Sequence, residues 1–174
     1  ALAASNDRSW LYVGGDFAYV SSRYVATTAR SRLAAFTTAF GDVQAWNPSP
    51  NATVRTIAVN PTTGVVYVGG TFTTIAGAAR TAFAAVAATG VLTSLDLRVT
   101  AAFCSHDTGS VYGLPASCPN DVYTVIASGT RLLVGGQFGF TWEGAVAARY
   151  PMAVSRCHEV GNQHAAGGPR HPFA

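Results

Sequence analysis

The sequence predicts an all-β chain made of a repeated antiparallel unit, and three observations carry that expectation. The run "WLYVGGDF" at residues 10–17 returns as "VVYVGGTF" at 65–72 and as "RLLVGGQF" at 131–138. A second landmark follows each run: Arg30 ahead of Leu33 and Ala34, Arg80 ahead of Phe83 and Ala84, Arg149 ahead of Met152 and Ala153. The apolar runs are also short, rich in β-branched residues and bounded by Gly, Pro, Asn and Thr, as strands between turns are. Self-similarity of this kind marks a repeat architecture.

The middle unit shows the elements most plainly. Residues 53–60, "TVRTIAVN", alternate Val54, Thr56 and Ala58 against Arg55, Ile57 and Val59, and predict a first strand. "PTTG" at 61–64 is a turn, and residues 65–72 form the second strand. "TTIAGAAR" reads as a loop. Residues 81–88, "TAFAAVAA", make a third strand, Thr89 and Gly90 a tight turn, and residues 91–97, "VLTSLDL", a fourth. The first unit, about 9–48, closes the same way, with Gly41 and Asp42 turning into "VQAW". The third, about 121–154, breaks off before its turn and fourth strand. Between the second and third lies an insertion at about 98–120. Residues 155–174, "SRCHEVGNQHAAGGPRHPFA", have no periodicity and read as an irregular or disordered tail.

One four-stranded unit cannot bury both of its faces. Units stacked about an axis can, and that arrangement is a β-propeller. The expected fold is therefore propeller-like, with two to three four-stranded antiparallel blades in residues 1–154; a β-sandwich is the alternative. Closed propellers have about four to eight blades, so further blades of a longer chain or self-association would be needed to complete a ring. The glycine pairs, Gly14 with Gly15, Gly69 with Gly70 and Gly135 with Gly136, are expected to permit a bend or a close backbone approach. Phe17, Phe72 and Phe138 are expected to fill the gaps between blades. The recurring Arg30, Arg80 and Arg149 are expected to pair with carbonyls or cap a blade edge. A phosphate-cradling role for the glycines would need a helix after the strand, and none is predicted.

"LYVGGDF…RSRLAAF…GDVQAWNP" and "VYVGGTF…GAARTAFAAV…TGVLTSLDL" resemble the bacterial secreted β-propeller repeat of the delta-sixty type, with its Gly-Gly-x-Phe blades. Similar blades occur in fungal cortical polarity-marker proteins. The resemblance spans about residues 9–154. It implies a β-propeller and an exported or cell-surface setting, and it brings no shared catalytic residues.

Composition narrows the function classes. Of 174 residues 49% are hydrophobic and 11% charged, too apolar for a disordered chain. The net charge is +3, and every basic residue is an arginine, scattered without a run. That pattern does not predict nucleic-acid binding, and the lack of lysine removes Schiff-base chemistry. No apolar run is long enough for a membrane-spanning helix. "ALAAS" at the start is compatible with the remnant of a small-residue cleavage site.

Candidate site residues concentrate in the insertion, because long loops carry function more often than strands. Cys104 and Cys118 bracket "CSHDTGSVYGLPASC"; the preferred reading is a disulfide formed in an oxidising compartment, the other two unpaired thiols. His106, Asp107 and Tyr112 within the insertion, and Trp142 in "GFTWEG", are the candidate binding residues, Trp142 as a stacking surface for sugar. Asn51, Ala52 and Thr53 match a glycosylation acceptor. Cys157, His158, His164 and His171 match no standard zinc spacing, so no metal is expected; no cofactor is expected either. Neither Gly-x-Ser-x-Gly nor His-Glu-x-x-His occurs, and His106 beside Asp107 and Ser105 is poor geometry for a triad. The expected function is a non-catalytic propeller segment of a secreted or cell-surface protein, a scaffold for a protein or glycan ligand. The alternatives are a fragment of an exported propeller enzyme, hydrolase or oxidoreductase, with its catalytic residues elsewhere, and a structural spacer.

Overall fold

The computed structural model of the chain describes residues 1–23, 26–97, 99–100, 120–129, 131–140 and 152–155. All regular structure among them is β. The first sheet contains β1 (Leu2–Ala4), β2 (Trp10–Gly14) and, after a small hairpin of β3 (Tyr19–Val20) and β4 (Thr28–Ala29), β5 (Leu33–Thr37). The second repeats this plan with β6 (Val54–Val59), β7 (Val66–Gly70), the hairpin β8 (Thr74–Ile75) and β9 (Ala78–Ala79), and β10 (Phe83–Val86). Next come β11 (Val99–Thr100), β12 (Asp121–Ser128), β13 (Arg131–Gln137), β14 (Gly139–Phe140) and β15 (Met152–Ser155). The three main sheets run β1-β2-β5, β6-β7-β10 and β12-β13-β15, each centred on the strand that carries the first glycine of the pair.

The units agree in register. Gly14 stands opposite Leu33 and Gly69 opposite Phe83. Leu2 faces Val13 as Ile57 faces Val68. The first strand is bulged between Val54 and Thr56 opposite Gly70 and Gly69, and again between Val122 and Thr124 opposite Gly136 and Gly135. The backbone after the first two x-Phe is also repeated. Arg32 and Ala82 both take positive φ, 60° and 59°. Their N–H groups donate to the carbonyls of Phe17 and Phe72, at 2.7 Å in both units, and their carbonyls accept from Gly15 and Gly70 at 3.0 Å. A non-glycine residue in the left-handed region is costly, so its recurrence indicates that the fold imposes it.

Alternation sends side chains to both faces of the second sheet, but the bulge between Val54 and Thr56 resets it, so that Val54 and Ile57, expected on opposite faces, share one. Val54, Ile57, Val66, Val68, Ala84 and Val86 pack toward Tyr12, Leu33 and Ala35 of the first sheet. Tyr67, Phe83 and Ala85 pack toward Val122, Val125, Leu132 and Val134 of the third. The second sheet is thus covered on both sides. The first strand β6 lies against both β1 and β12, and the sheets diverge toward their third strands. Large side chains fill the resulting wedges. Trp46 lies 4.8 Å from the Tyr12 ring and donates its indole N–H to the Ala87 carbonyl at 3.1 Å. Phe72 is fully buried between the first and second sheets, and Phe138 between the second and third.

Polar bonds cross the same boundaries. Val54 N–H donates to the Gly15 carbonyl at 3.1 Å, and Val125 N–H to the Thr56 hydroxyl at 3.1 Å. The first-hairpin turns are chained: the Asn6 amide donates to the Asn60 carbonyl at 2.9 Å, and the Asn60 amide to the Gly129 carbonyl at 3.3 Å. Asn60 also fixes its own turn, its Oδ1 accepting from Thr62 and Thr63 N–H at 2.9 Å each.

Four features differ from the sequence expectation. The fourth strand of the middle unit, expected over 91–97, reduces to one bridge, Val86 with Leu92; the first unit has only Phe36 with Val43. Beyond that bridge the middle unit leaves the sheet, and Leu95 and Leu97 pack against the cluster between the second and third sheets instead. The sheets are therefore three-stranded rather than four-stranded. "TTIAGAAR" holds the β8–β9 hairpin instead of a plain loop, turned by Ala76 and Gly77 at positive φ. Leu2–Ala4 is a paired strand, so the first sheet begins ahead of residue 9. In the third sheet β15 pairs parallel to β13, where β5 and β10 run antiparallel. The architecture is all-β, with small, mainly antiparallel sheets stacked face to face and none closed into a barrel.

Candidate functional site

The bulged ends of β6 and β12 bring together Arg55, Asp121, Tyr123 and Gln137, next to Asn120 at the end of the insertion. Arg55 stands on β6 and the other three on the third sheet, so the cluster bridges two units. Arg55 Nε donates to Asp121 Oδ1 at 2.7 Å. The Asp121 side chain is 4% exposed and that of Arg55 44%. The buried carboxylate therefore anchors a guanidinium that still reaches solvent. The guanidinium carbon lies 5.6 Å from the centre of the Tyr123 ring, within cation–π range. Tyr123 is half exposed, and its hydroxyl lies 3.4 Å from Gln137 Oε1. Asn120 Oδ1 is buried without a hydrogen-bond partner among the described residues.

The chemistry open to this arrangement is hydrogen bonding, charge and stacking. An exposed guanidinium, a phenol and a primary amide can recognise a polar ligand such as a sugar or a peptide edge. The cluster offers no nucleophile next to a base. Among the described residues no three His, Cys, Asp or Glu side chains gather as a metal site would require.

Of the recurring arginines, Arg30 and Arg80 occupy equivalent places. Arg30 donates to the carbonyls of Ala29 at 2.9 Å and Gln44 at 2.7 Å. Arg80 donates to the Ala79 carbonyl at 2.9 Å and lies 3.4 Å from Asp96. Each ties its small hairpin to the segment where a fourth strand would run. Elsewhere, hydrogen bonds from the Ser5 and Ser9 side chains and from Ser9 N–H lower the pKa of Asp7 to about 2. Burial raises that of the Tyr12 phenol. Asn51, the glycosylation candidate, is engaged: its Oδ1 accepts from Thr73 and Thr74 N–H, and its Nδ2 donates to Thr73 Oγ1 at 2.8 Å.

The candidate binding residues His106, Asp107, Tyr112 and Trp142 lie outside the described residues, as do Cys104, Cys118, Arg149, Cys157, His158, His164 and His171. Of the residues named from sequence, the structure places the glycine pairs, the three phenylalanines, Arg30 and Arg80. Sequence reading missed Arg55, Asp121 and Tyr123. Arg55 and Tyr123 hold the same position in their units, the residue skipped by the bulge after Val54 and Val122, and a charged Arg within a strand was the one local signal.

No family model matches the chain, and neither the curated proteins nor the solved structures include a significant match.

Proposed function

We propose that this chain is a non-catalytic segment of a β-propeller from an exported or cell-surface protein, a scaffold that presents a polar, aromatic edge to a protein or glycan ligand. One observation carries the reading: the insertion returns to the sheets at Asn120, next to the solvent-reaching Arg55–Tyr123–Gln137 edge, which bridges two units. Face-to-face sheets that converge on their first strands suit a propeller better than a two-sheet sandwich, because the middle sheet is covered on both faces. The resemblance of the Gly-Gly-x-Phe units to an exported repeat supports the setting.

The test is a binding screen of the full chain against immobilised neutral and acidic oligosaccharides and cell-surface proteins. The expected result is saturable binding to one class of probe, weakened about tenfold or more by Arg55→Ala and by Trp142→Ala, each about 1.4 kcal/mol or more. Absence of saturable binding across the panel, or binding indifferent to both substitutions, would reject the scaffold reading. Release of a cleaved or oxidised product would favour the enzyme-fragment alternative instead.

A further inference from the structure

The two ends of the stack carry apolar side chains at positions that are buried in the middle sheet. At the outer face of the first sheet, Leu2 holds the register place of Ile57. Ile57 is buried, whereas Leu2 is 67% exposed. At the outer face of the third sheet, Ile126 and Leu133 hold the places of Ala58 and Tyr67. Tyr67 is buried against the next sheet, with Ala58 packed beside it, whereas Ile126 and Leu133 are 53% and 37% exposed.

The glycine pairs and the phenylalanines report the same asymmetry. A Cβ on Gly14 would collide with Val54 of the second sheet, and one on Gly69 with Val122 of the third. A Cβ on Gly135 would meet Thr124 of its own sheet and, among the described residues, no side chain of a following one. Phe72 and Phe138 are each sealed against the sheet before their own, while Phe17, with no described sheet before it, is half-buried. The outer face of the third sheet therefore has the form of the surface that covers a following unit, and the outer face of the first has the form of the surface that is covered.

From this complementarity we infer that the chain associates head to tail, the first sheet of one molecule docking on the third sheet of a second copy and continuing the stacking already present between its own sheets. The contact is heterologous, so it must either close a ring or grow into a filament. The three main sheets among the described residues of each molecule, taken from two molecules, give six, within the roughly four to eight blades that close a propeller. The expected species is a dimer with two identical docking faces. This inference rests on the propeller reading, but it can fail while ligand binding by the Arg55 edge survives, because oligomeric mass and ligand binding are measured separately.

The test is sedimentation velocity of the full chain over a wide concentration range. The wild type is expected to form a discrete, reversible dimer. Leu2→Asp and Leu133→Asp are each expected to raise the dimer dissociation constant at least a hundredfold, since each disables both docking faces of a homodimer. An equimolar mixture of the two variants restores one intact face and should recover a heterodimer. Circular dichroism checks that both variants fold, and Ile126→Asp replaces Leu133→Asp if the latter does not. A wild type that stays monomeric at every concentration, a dimer unaffected by either substitution, or a mixture that behaves as the separate variants do would overturn the inference.

Discussion

Gly70→Ala is expected to destabilise the chain by about 3 kcal/mol or more, lowering the melting temperature by roughly 6–12 °C for a domain of this size. The glycine lies opposite the bulge in β6. A Cβ there would overlap the carbonyl oxygen of Thr53 and come within 3.0 Å of its carbonyl carbon and 3.1 Å of Val54 Cα. These are backbone atoms of a bulged strand, so no rotamer change can relieve the contact. Gly136→Ala meets the same obstacle from Asp121 and the Val122 Cα, and should behave alike. Gly64→Ala is the control. Gly64 has φ 70° and open space around its missing Cβ, so only the left-handed penalty of about 1–2 kcal/mol applies. Thermal melts of the three variants, followed by circular dichroism, check the order. Equal losses at Gly64 and Gly70 would mean that the glycine pair serves conformation and not close approach.

Phe72→Ala should cost about 3–5 kcal/mol, the range for emptying a buried aromatic site. Phe72 is fully enclosed among Tyr12, Trp46, Val54 and Ile75 of the first packed interface. The equivalent Phe17 keeps partial exposure, because no described sheet precedes the first. Phe17→Ala should therefore cost about 1 kcal/mol, in line with the smaller apolar area it hides. Urea titration of both variants gives the comparison directly. The same side chain in the same motif then differs in worth by its neighbours alone, as inter-sheet packing requires. Similar losses at both positions would mean that each Phe stabilises its own unit and not the joint between units.

Much of this architecture could be read from residue spacing. The glycine pairs place the central strand of each sheet, and the x-Phe that follows places the residue that fills a wedge. Both depend on short-range chemistry that recurs three times. The shorter elements were less legible. The hairpins at Tyr19–Val20 and Thr74–Ile75 are two-residue strands, too brief to display a period. Residues 91–97 have strand-like composition, yet they leave the sheet after a single bridge, and Leu95 and Leu97 pack between the second and third sheets. The parallel pairing of Met152–Ser155 has no local signature at all, since strand direction is set by the path of the chain. The candidate site was hidden for a related reason. Arg55 and Asp121 belong to different units, and nothing in their spacing announces that the sheets will stack with those two ends adjacent. The residues chosen from sequence, His106, Asp107, Tyr112 and Trp142, were chosen for loop position, and they lie outside the described residues.

Successive units are joined face to face, Gly14 and Gly69 making room for Val54 and Val122 on the first strand of the next unit. A double-mutant cycle between Gly14 and Val54 measures this joint. A Cβ on Gly14 would collide with the Val54 side chain and approach Ile57 Cδ1 at 2.9 Å. Gly14→Ala alone is expected to cost about 1–3 kcal/mol through overpacking, and Val54→Ala alone about 2 kcal/mol through the cavity it leaves. Combined, the new methyl occupies the space vacated by the valine, so the double variant should be more stable than the sum of the single losses by about 1 kcal/mol or more. Additive losses would place the two residues out of contact and contradict the stacked arrangement of the first and second sheets.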